Sequence, residues 1–167
     1  MILIAIGANL PGLCGSLPLE TCRAAAQRVR EDPGLDFVAL SSWYRTAAIP
    51  RGDFPDYCNG VLRLRGEADP AELLARMHAI EAEFGRERGE LNAPRTLDLD
   101  VIDINGLIRA TPTPVLPHPR AHLRAFVLRP ILDVAPGWRH PVLRQNVATL
   151  LSELPPQGIQ PWHDEAF

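Results

Sequence analysis

Apolar and polar positions divide this chain into a short series of elements. Ile2–Ile6 is a continuous apolar run closed by Gly7, the pattern of a strand buried on both faces. Residues 8–15 hold Asn9, Pro11 and two glycines and read as a loop. Ser16 reads as an N-cap, after which Leu17, Cys22, Ala25, Ala26 and Val29 recur at near-helical spacing until Asp32-Pro33-Gly34. Phe37–Thr46 is rich in β-branched and aromatic residues and reads as one strand. Residues 47–55, with two prolines and a glycine, read as a loop. Asp56–Arg65 alternates: Tyr57, Asn59 and Val61 share one face, and Cys58, Gly60, Leu62 and Leu64 the other.

Asp69 is placed to cap a second helix with Pro70 in its first turn, and Leu73, Met77, Ile80 and Phe84 form its apolar stripe. A charged loop follows Gly85, then a strand over Leu97–Ile104. Pro112, Pro114, Pro117 and Pro119 keep the next stretch extended. Arg124–Val134 and Val147–Leu154 read as helices, and a Pro-rich tail closes the chain over 155–167. The order β-α-β-β-α-β predicts an α+β, ferredoxin-like antiparallel sheet with both main helices on one face and additional C-terminal helices. The opposite face stays available for a site, partly covered by the C-terminal third. One domain over 1–167 is expected from the length.

Composition narrows the chemistry. Net charge is −3, which argues against broad non-specific binding to nucleic acid or an anionic membrane. No apolar run approaches ~18 residues, and the first strand follows the N-terminus with no basic leader, so a cytoplasmic protein is expected. Cys14, Cys22 and Cys58 form no C-x-x-C pair and suggest neither a disulfide framework nor a zinc site. All 17 basic residues are arginine. Without lysine there is no P-loop and no kinase strand lysine. Any phosphate clamp must be guanidinium, which grips oxyanions in a planar, bidentate manner.

The run Pro94-Arg-Thr-Leu-Asp-Leu-Asp100 concentrates the candidate chemistry. On a strand, Asp98 and Asp100 project from one face ~7 Å apart, while Leu97, Leu99 and Val101 face a core. At that distance two carboxylates repel by about 2 kcal/mol at an effective dielectric of ~20. A divalent cation relieves that repulsion, and a pair of carboxylates suits Mg²⁺, which fills its other positions with water and phosphate. The same open face can carry Tyr57, suited to stacking a flat heterocycle, and Asn59, whose amide reads a donor–acceptor edge. Asn is depleted in mid-strand, so its presence there asks for a function.

Five segments occur in order: Ile4-Ala-Ile-Gly-Ala-Asn-Leu10, Ser41-Ser-Trp-Tyr-Arg-Thr46, Pro55-Asp-Tyr-Cys-Asn59, Pro94 to Asp100, and Pro117-His118 followed by Arg124-Ala-Phe126. Together, from Ile2 to about Pro136, they resemble the 6-hydroxymethyl-7,8-dihydropterin pyrophosphokinase family of folate biosynthesis. The resemblance implies pyrophosphoryl transfer from ATP to a reduced pterin, releasing AMP. It implies that Asp98 and Asp100 hold two Mg²⁺ ions and act catalytically with Arg86 and Arg95. Tyr57 and Phe126 would sandwich the pterin, with Gly7, Asn59, Thr46 and Ile49 around its edges. Glu81, Arg88, Arg95, Val101, His118 and Arg124 would lie at the ATP. A monomer working on these small molecules, without nucleic acid or membrane, is expected. Asn92-Ala93 stands where many relatives have Trp-Gly, and Ala47-Ala48 where some have Pro-Pro. An RNA-binding sheet of the same topology is disfavoured by the acidic charge and the Asp pair on its exposed face. A nucleotidyltransferase would release pyrophosphate in place of AMP.

Overall fold

The computed structural model describes residues 1–10, 17–46, 56–85 and 96–162. Among the described residues, six strands and four α-helices follow one another: β1 Ile2–Ala8, α1 Pro18–Arg30, β2 Asp36–Leu40, β3 Tyr44–Thr46, β4 Tyr57–Arg65, α2 Pro70–Glu83, β5 Asp98–Ile104, α3 Ala125–Val134, α4 Val147–Ser152 and β6 Gln160–Pro161. The sheet runs β5-β1-β4-β3-β6, with β2 also on β4, and every pairing is antiparallel. This is the expected ferredoxin-like arrangement, with β1 and β4 at its centre.

The period-2 pattern of the strands decides the two faces. Ile2, Ile4 and Ile6 of β1, Leu62 and Leu64 of β4, and Leu99 and Val101 of β5 turn toward α1 and α2. They meet Cys22, Ala25 and Val29 of α1 and Leu73, Met77 and Ile80 of α2 in one core. Burying one such aliphatic side chain contributes roughly 1.5–3 kcal/mol. Leu3, Val61 and Ile102 turn the other way, where Val127, Leu128 and Ile131 of α3, Trp138, and Val147 and Leu150 of α4 form a second core. The C-terminal third therefore roofs one half of that second face.

Three local expectations change. Residue 16 lies outside the described residues, and α1 instead starts from Leu17 at the N-cap, with no side-chain cap. Pro18 follows; its missing N–H and preset φ make it suited to the first helical turn. The expected strand over Phe37–Thr46 is two strands, because the backbone leaves the ladder between Leu40 and Tyr44. Ser41 holds that break together: its N–H donates to the Val61 carbonyl at 3.0 Å and its Oγ accepts from the Val61 N–H at 2.9 Å. Trp43 then occupies the space beside Gly60, where an added Cβ would lie 2.6 Å from the indole ring. The Pro-rich tail, finally, carries β6, which pairs with β3. Asp69 does cap α2 as expected, accepting from the Glu72 N–H at 3.1 Å.

Candidate active site

Register creates the site. Gly7 stands opposite Asp98 on one side and Asn59 on the other, so Asp98, Gly7 and Asn59 form one row across three strands. The next row is Asp100, Ala5 and Val61. Val61 is already under the roof of α3 and α4, so the open half of the face begins at these rows. Two small residues of β1 thus make a flat floor between the carboxylates of β5 and the amide of β4. A Cβ at Gly7 would come within 3.0 Å of Asn59 Oδ1, which explains glycine there by close approach. Sequence reading singled out Gly7 but missed Ala5. Its signal was present: a small residue two positions before the glycine, on the same strand face, in an otherwise bulky apolar run.

The amide edge of this floor is held rigidly. Asn59 is buried, and its Nδ2 donates to Thr46 Oγ1 at 2.8 Å. That bond fixes the plane of the amide and engages one of its donors, with Oδ1 on the Gly7 side. Tyr57 pairs across the ladder with Thr46 and is half-buried at the start of β4. Behind this edge, Tyr44 Oη donates to Asp133 Oδ2 at 2.6 Å, and the Ser42 N–H donates to the same oxygen. These bonds anchor α3 to the strand that carries Thr46.

At the other side, the segment after β5 covers part of its outer edge. The His118 N–H donates to the Ile102 carbonyl at 2.9 Å. The ring Nδ1 accepts from the Arg120 N–H at 3.1 Å, so the proton sits on Nε2, which lies 4.0 Å from Asp100 Oδ2. Burial, with Arg124 and Arg120 adding to it against the opposing pull of Asp98, pushes His118 down to about 4. It is neutral near pH 7 and presents an N–H donor beside the carboxylates. Arg124 immediately precedes α3, and its guanidinium lies 5.4 Å from the Phe126 ring centroid. Phe126 is half-buried against the second core.

Two positions expected at the ATP take a particular form. Val101 is in the core on the helix side, so only its backbone can face a nucleotide. Glu81 is buried on α2, and its Oε2 accepts from the Leu99 N–H of β5 at 2.8 Å. Its carboxylate therefore supports the strand that carries the two aspartates. Ile49, Arg86, Arg88 and Arg95 lie outside the described residues. The structure brings together Asp98, Asp100, Gly7, Asn59, Thr46 and Tyr57 on the sheet, with His118, Arg124 and Phe126 supplied by the segments around it.

The donor set fits a hard cation. Among the described residues no three of His, Cys, Asp and Glu gather as a metal-binding group. Asp98 and Asp100 offer only carboxylate oxygens, the pattern expected where Mg²⁺ keeps waters and phosphate oxygens as its remaining ligands.

Comparison with known proteins accords with this geometry. Residues 3–136 match the family described as 7,8-dihydro-6-hydroxymethylpterin-pyrophosphokinase (HPPK). The chain is 35% identical over 159 residues to the 2-amino-4-hydroxy-6-hydroxymethyldihydropteridine pyrophosphokinase of Pseudomonas aeruginosa, covering 95% of this chain and 94% of that one. It is 35% identical over 152 residues to the protein of the same name from Synechocystis, covering 90% of this chain and 77% of that one. Among solved structures, a crystal structure of a Plasmodium falciparum HPPK-DHPS variant with pterin and p-hydroxybenzoate superposes with a TM-score of 0.69 at 11% identity. That match covers 91% of this chain but only 43% of the longer Plasmodium chain, and it shows the shared fold. This chain belongs to the 7,8-dihydro-6-hydroxymethylpterin-pyrophosphokinase family.

Proposed function

We propose that this protein transfers the pyrophosphoryl group of ATP to the hydroxymethyl oxygen of 6-hydroxymethyl-7,8-dihydropterin, giving AMP and the pterin diphosphate for folate biosynthesis. The observation that carries this reading is the pair of rows Asp98–Gly7–Asn59 and Asp100–Ala5–Val61, which sets an acidic pair and a heterocycle-reading amide on either side of a flat floor. In it, Tyr57 and Phe126 stack the pterin ring. Asn59 reads the ring's edge together with main-chain groups near Thr46 and Ile49, and Gly7 lets the ring approach the sheet. Asp98 and Asp100 would hold two Mg²⁺ ions, whose positive charge would offset that of the phosphate oxygens.

The remaining residues position the nucleotide. Arg86, Arg88, Arg95 and Arg124 grip phosphate oxygens with guanidinium forks. His118, kept neutral, offers its Nε2–H beside Asp100 rather than acting as a base. Val101 meets the nucleotide through its backbone, and Glu81 keeps β5 in place beneath it. No group here is a strong general base. Phosphoryl-type transfer asks mainly for alignment and electrostatic stabilisation, which this site is built to supply. A monomer in the cytoplasm, with two small-molecule partners, completes the reading.

The test is to incubate the protein with ATP, Mg²⁺ and 6-hydroxymethyl-7,8-dihydropterin and to separate the nucleotides. Pterin-dependent AMP is expected. ADP in its place would mean transfer of a single phosphoryl group and a different phosphate geometry. Absence of turnover, in folded protein that binds neither substrate, would overturn the reading.

A further inference from the structure

The family match ends at residue 136, yet the chain beyond it touches the site at two points. Past α4 the tail turns back toward the sheet. The Gln157 carboxamide pairs with backbone on both sides of Arg124. Its Oε1 accepts from the Ala125 N–H at 2.8 Å, and its Nε2 donates to the Leu123 carbonyl at 3.0 Å. Arg124 between them is extended, with φ −120° and ψ 109°, and occupies the N-cap position of α3 without a side-chain cap of its own. The first amides of a helix have no intrahelical acceptor. Gln157 supplies one from a distance of 32 residues in sequence, and in doing so holds Arg124 in its extended conformation.

The same tail then reaches the opposite wall. Gln160 and Pro161 pair with Arg45 and Tyr44 of β3. The Trp162 N–H donates to the Trp43 carbonyl at 2.9 Å, and the Arg45 guanidinium lies 4.2 Å from the centroid of the Trp162 ring. β3 ends in Thr46, which orients Asn59. Residues 157–162 therefore tie the Arg124–Phe126 corner to the strand behind the reading edge.

We propose that Gln157 is a positioning residue of the substrate site, acting through Arg124 on the nucleotide phosphates and through Phe126 on the pterin ring. The inference rests on the roles given to Arg124 and Phe126 above. A two-point amide clamp fixes both the position and the rotation of the peptide units it grips, as a neighbouring β-strand does. Without it the turn before α3 keeps the bonds of Arg124 itself, its N–H to the Ala121 carbonyl at 3.3 Å and its carbonyl to the Val127 and Leu128 N–H groups, but loses those on either side, and the guanidinium and the ring shift together. A misplacement of ~1 Å suffices to alter turnover markedly in a site that works by alignment.

The test is a double-mutant cycle in the full-length protein. Steady-state kinetics of AMP formation and thermal unfolding are measured for Gln157→Ala, Arg124→Ala, Phe126→Ala and the pairs containing Gln157→Ala. Gln157→Ala is expected to raise KM for ATP and for the pterin by about tenfold, with a change in Tm of no more than about 3 °C. In the Arg124→Ala background its effect on the ATP KM should shrink to less than about twofold, because coupled residues are not additive. Gln157→Glu keeps the acceptor for Ala125 and loses the donor to Leu123, so its KM values should fall between wild type and Gln157→Ala. It carries the test if the alanine variant does not fold. KM values within twofold of wild type for Gln157→Ala, with Arg124→Ala impaired, would overturn the clamp. So would an undiminished effect in the Arg124→Ala background. Unchanged kinetics in Arg124→Ala and Phe126→Ala would instead sink the assignment of those two residues, and the clamp with it.

Discussion

β5 carries three aspartates that meet opposite fates. Asp98 and Asp100 lie half-exposed on the open half of the sheet face. Asp103, three residues further, is 3% exposed and accepts from Trp138 Nε1 at 2.9 Å and from the Gly106 N–H at 3.0 Å. A shift of register between Leu3 and Ile4 lies at this end of the ladder and brings Asp103 opposite Leu3. Leu3, Ile102 and Trp138 belong to the same core. The first two carboxylates are placed without a roof, where a cation and phosphates can enter. The third lies beneath a roof, where a buried acid persists only with hydrogen-bond donors aimed at it. One strand thus carries an open pair and a structural acid, and what covers the sheet decides which is which.

The sharpest break of this comparison is in turnover. Asp98→Ala and Asp100→Ala should each lower AMP formation by about a hundredfold or more, while Tm stays within about 3 °C of wild type. Either variant retaining half the wild-type rate would end the metal role. Asp103→Ala should do the reverse. It leaves the Trp138 indole N–H without its acceptor and should cost about 1–3 kcal/mol in denaturant unfolding, with turnover per folded molecule within about twofold of wild type. Unchanged stability with lost turnover would move Asp103 into the site. Asp103→Asn, which keeps an acceptor, should cost less than Asp103→Ala.

The smallest effect concerns a further pair, the buried Tyr44 and the exposed Asp133, which holds the roof to the sheet. Burial, then the hydrogen bond to Asp133, pushes Tyr44 up to about 12, with Arg129 pulling the other way. The fold therefore favours the neutral phenol. Its contribution is fully present below pH ~10, the ordinary tyrosine value, and is lost as pH rises through about 12. Tyr44→Phe should flatten the alkaline loss of stability in that window and cost about 1 kcal/mol at neutral pH. An alkaline unfolding curve identical to wild type would show that another group governs that limb.

Much of the candidate site's placement is legible in the sequence. The alternation Asp98, Leu99, Asp100, Val101 already assigned the carboxylates to one face and the core residues to the other. Tyr57 and Asn59 followed from the same period on β4. The break at Ser42–Trp43 was not legible, because it depends on the indole finding the space above Gly60. Nor was Asp103 as a buried acid, since its partners, the Trp138 indole and the Gly106 N–H, become neighbours only in the fold. Gln157 gave no signal either: a glutamine in a Pro-rich tail reads as solvated until the tail is seen to return across the sheet.

By itself, then, the sequence determined what local spacing controls: the element order, the two faces of each strand and the residue types available for chemistry. Period and turn chemistry act over a few residues, so they can be read from neighbours along the chain. The tertiary structure alone decided which rows align, which half of the face is roofed and which distant side chains brace the site. Those depend on register and on contacts between residues as far apart as Asp103 and Trp138 or Ala125 and Gln157, which only packing brings together.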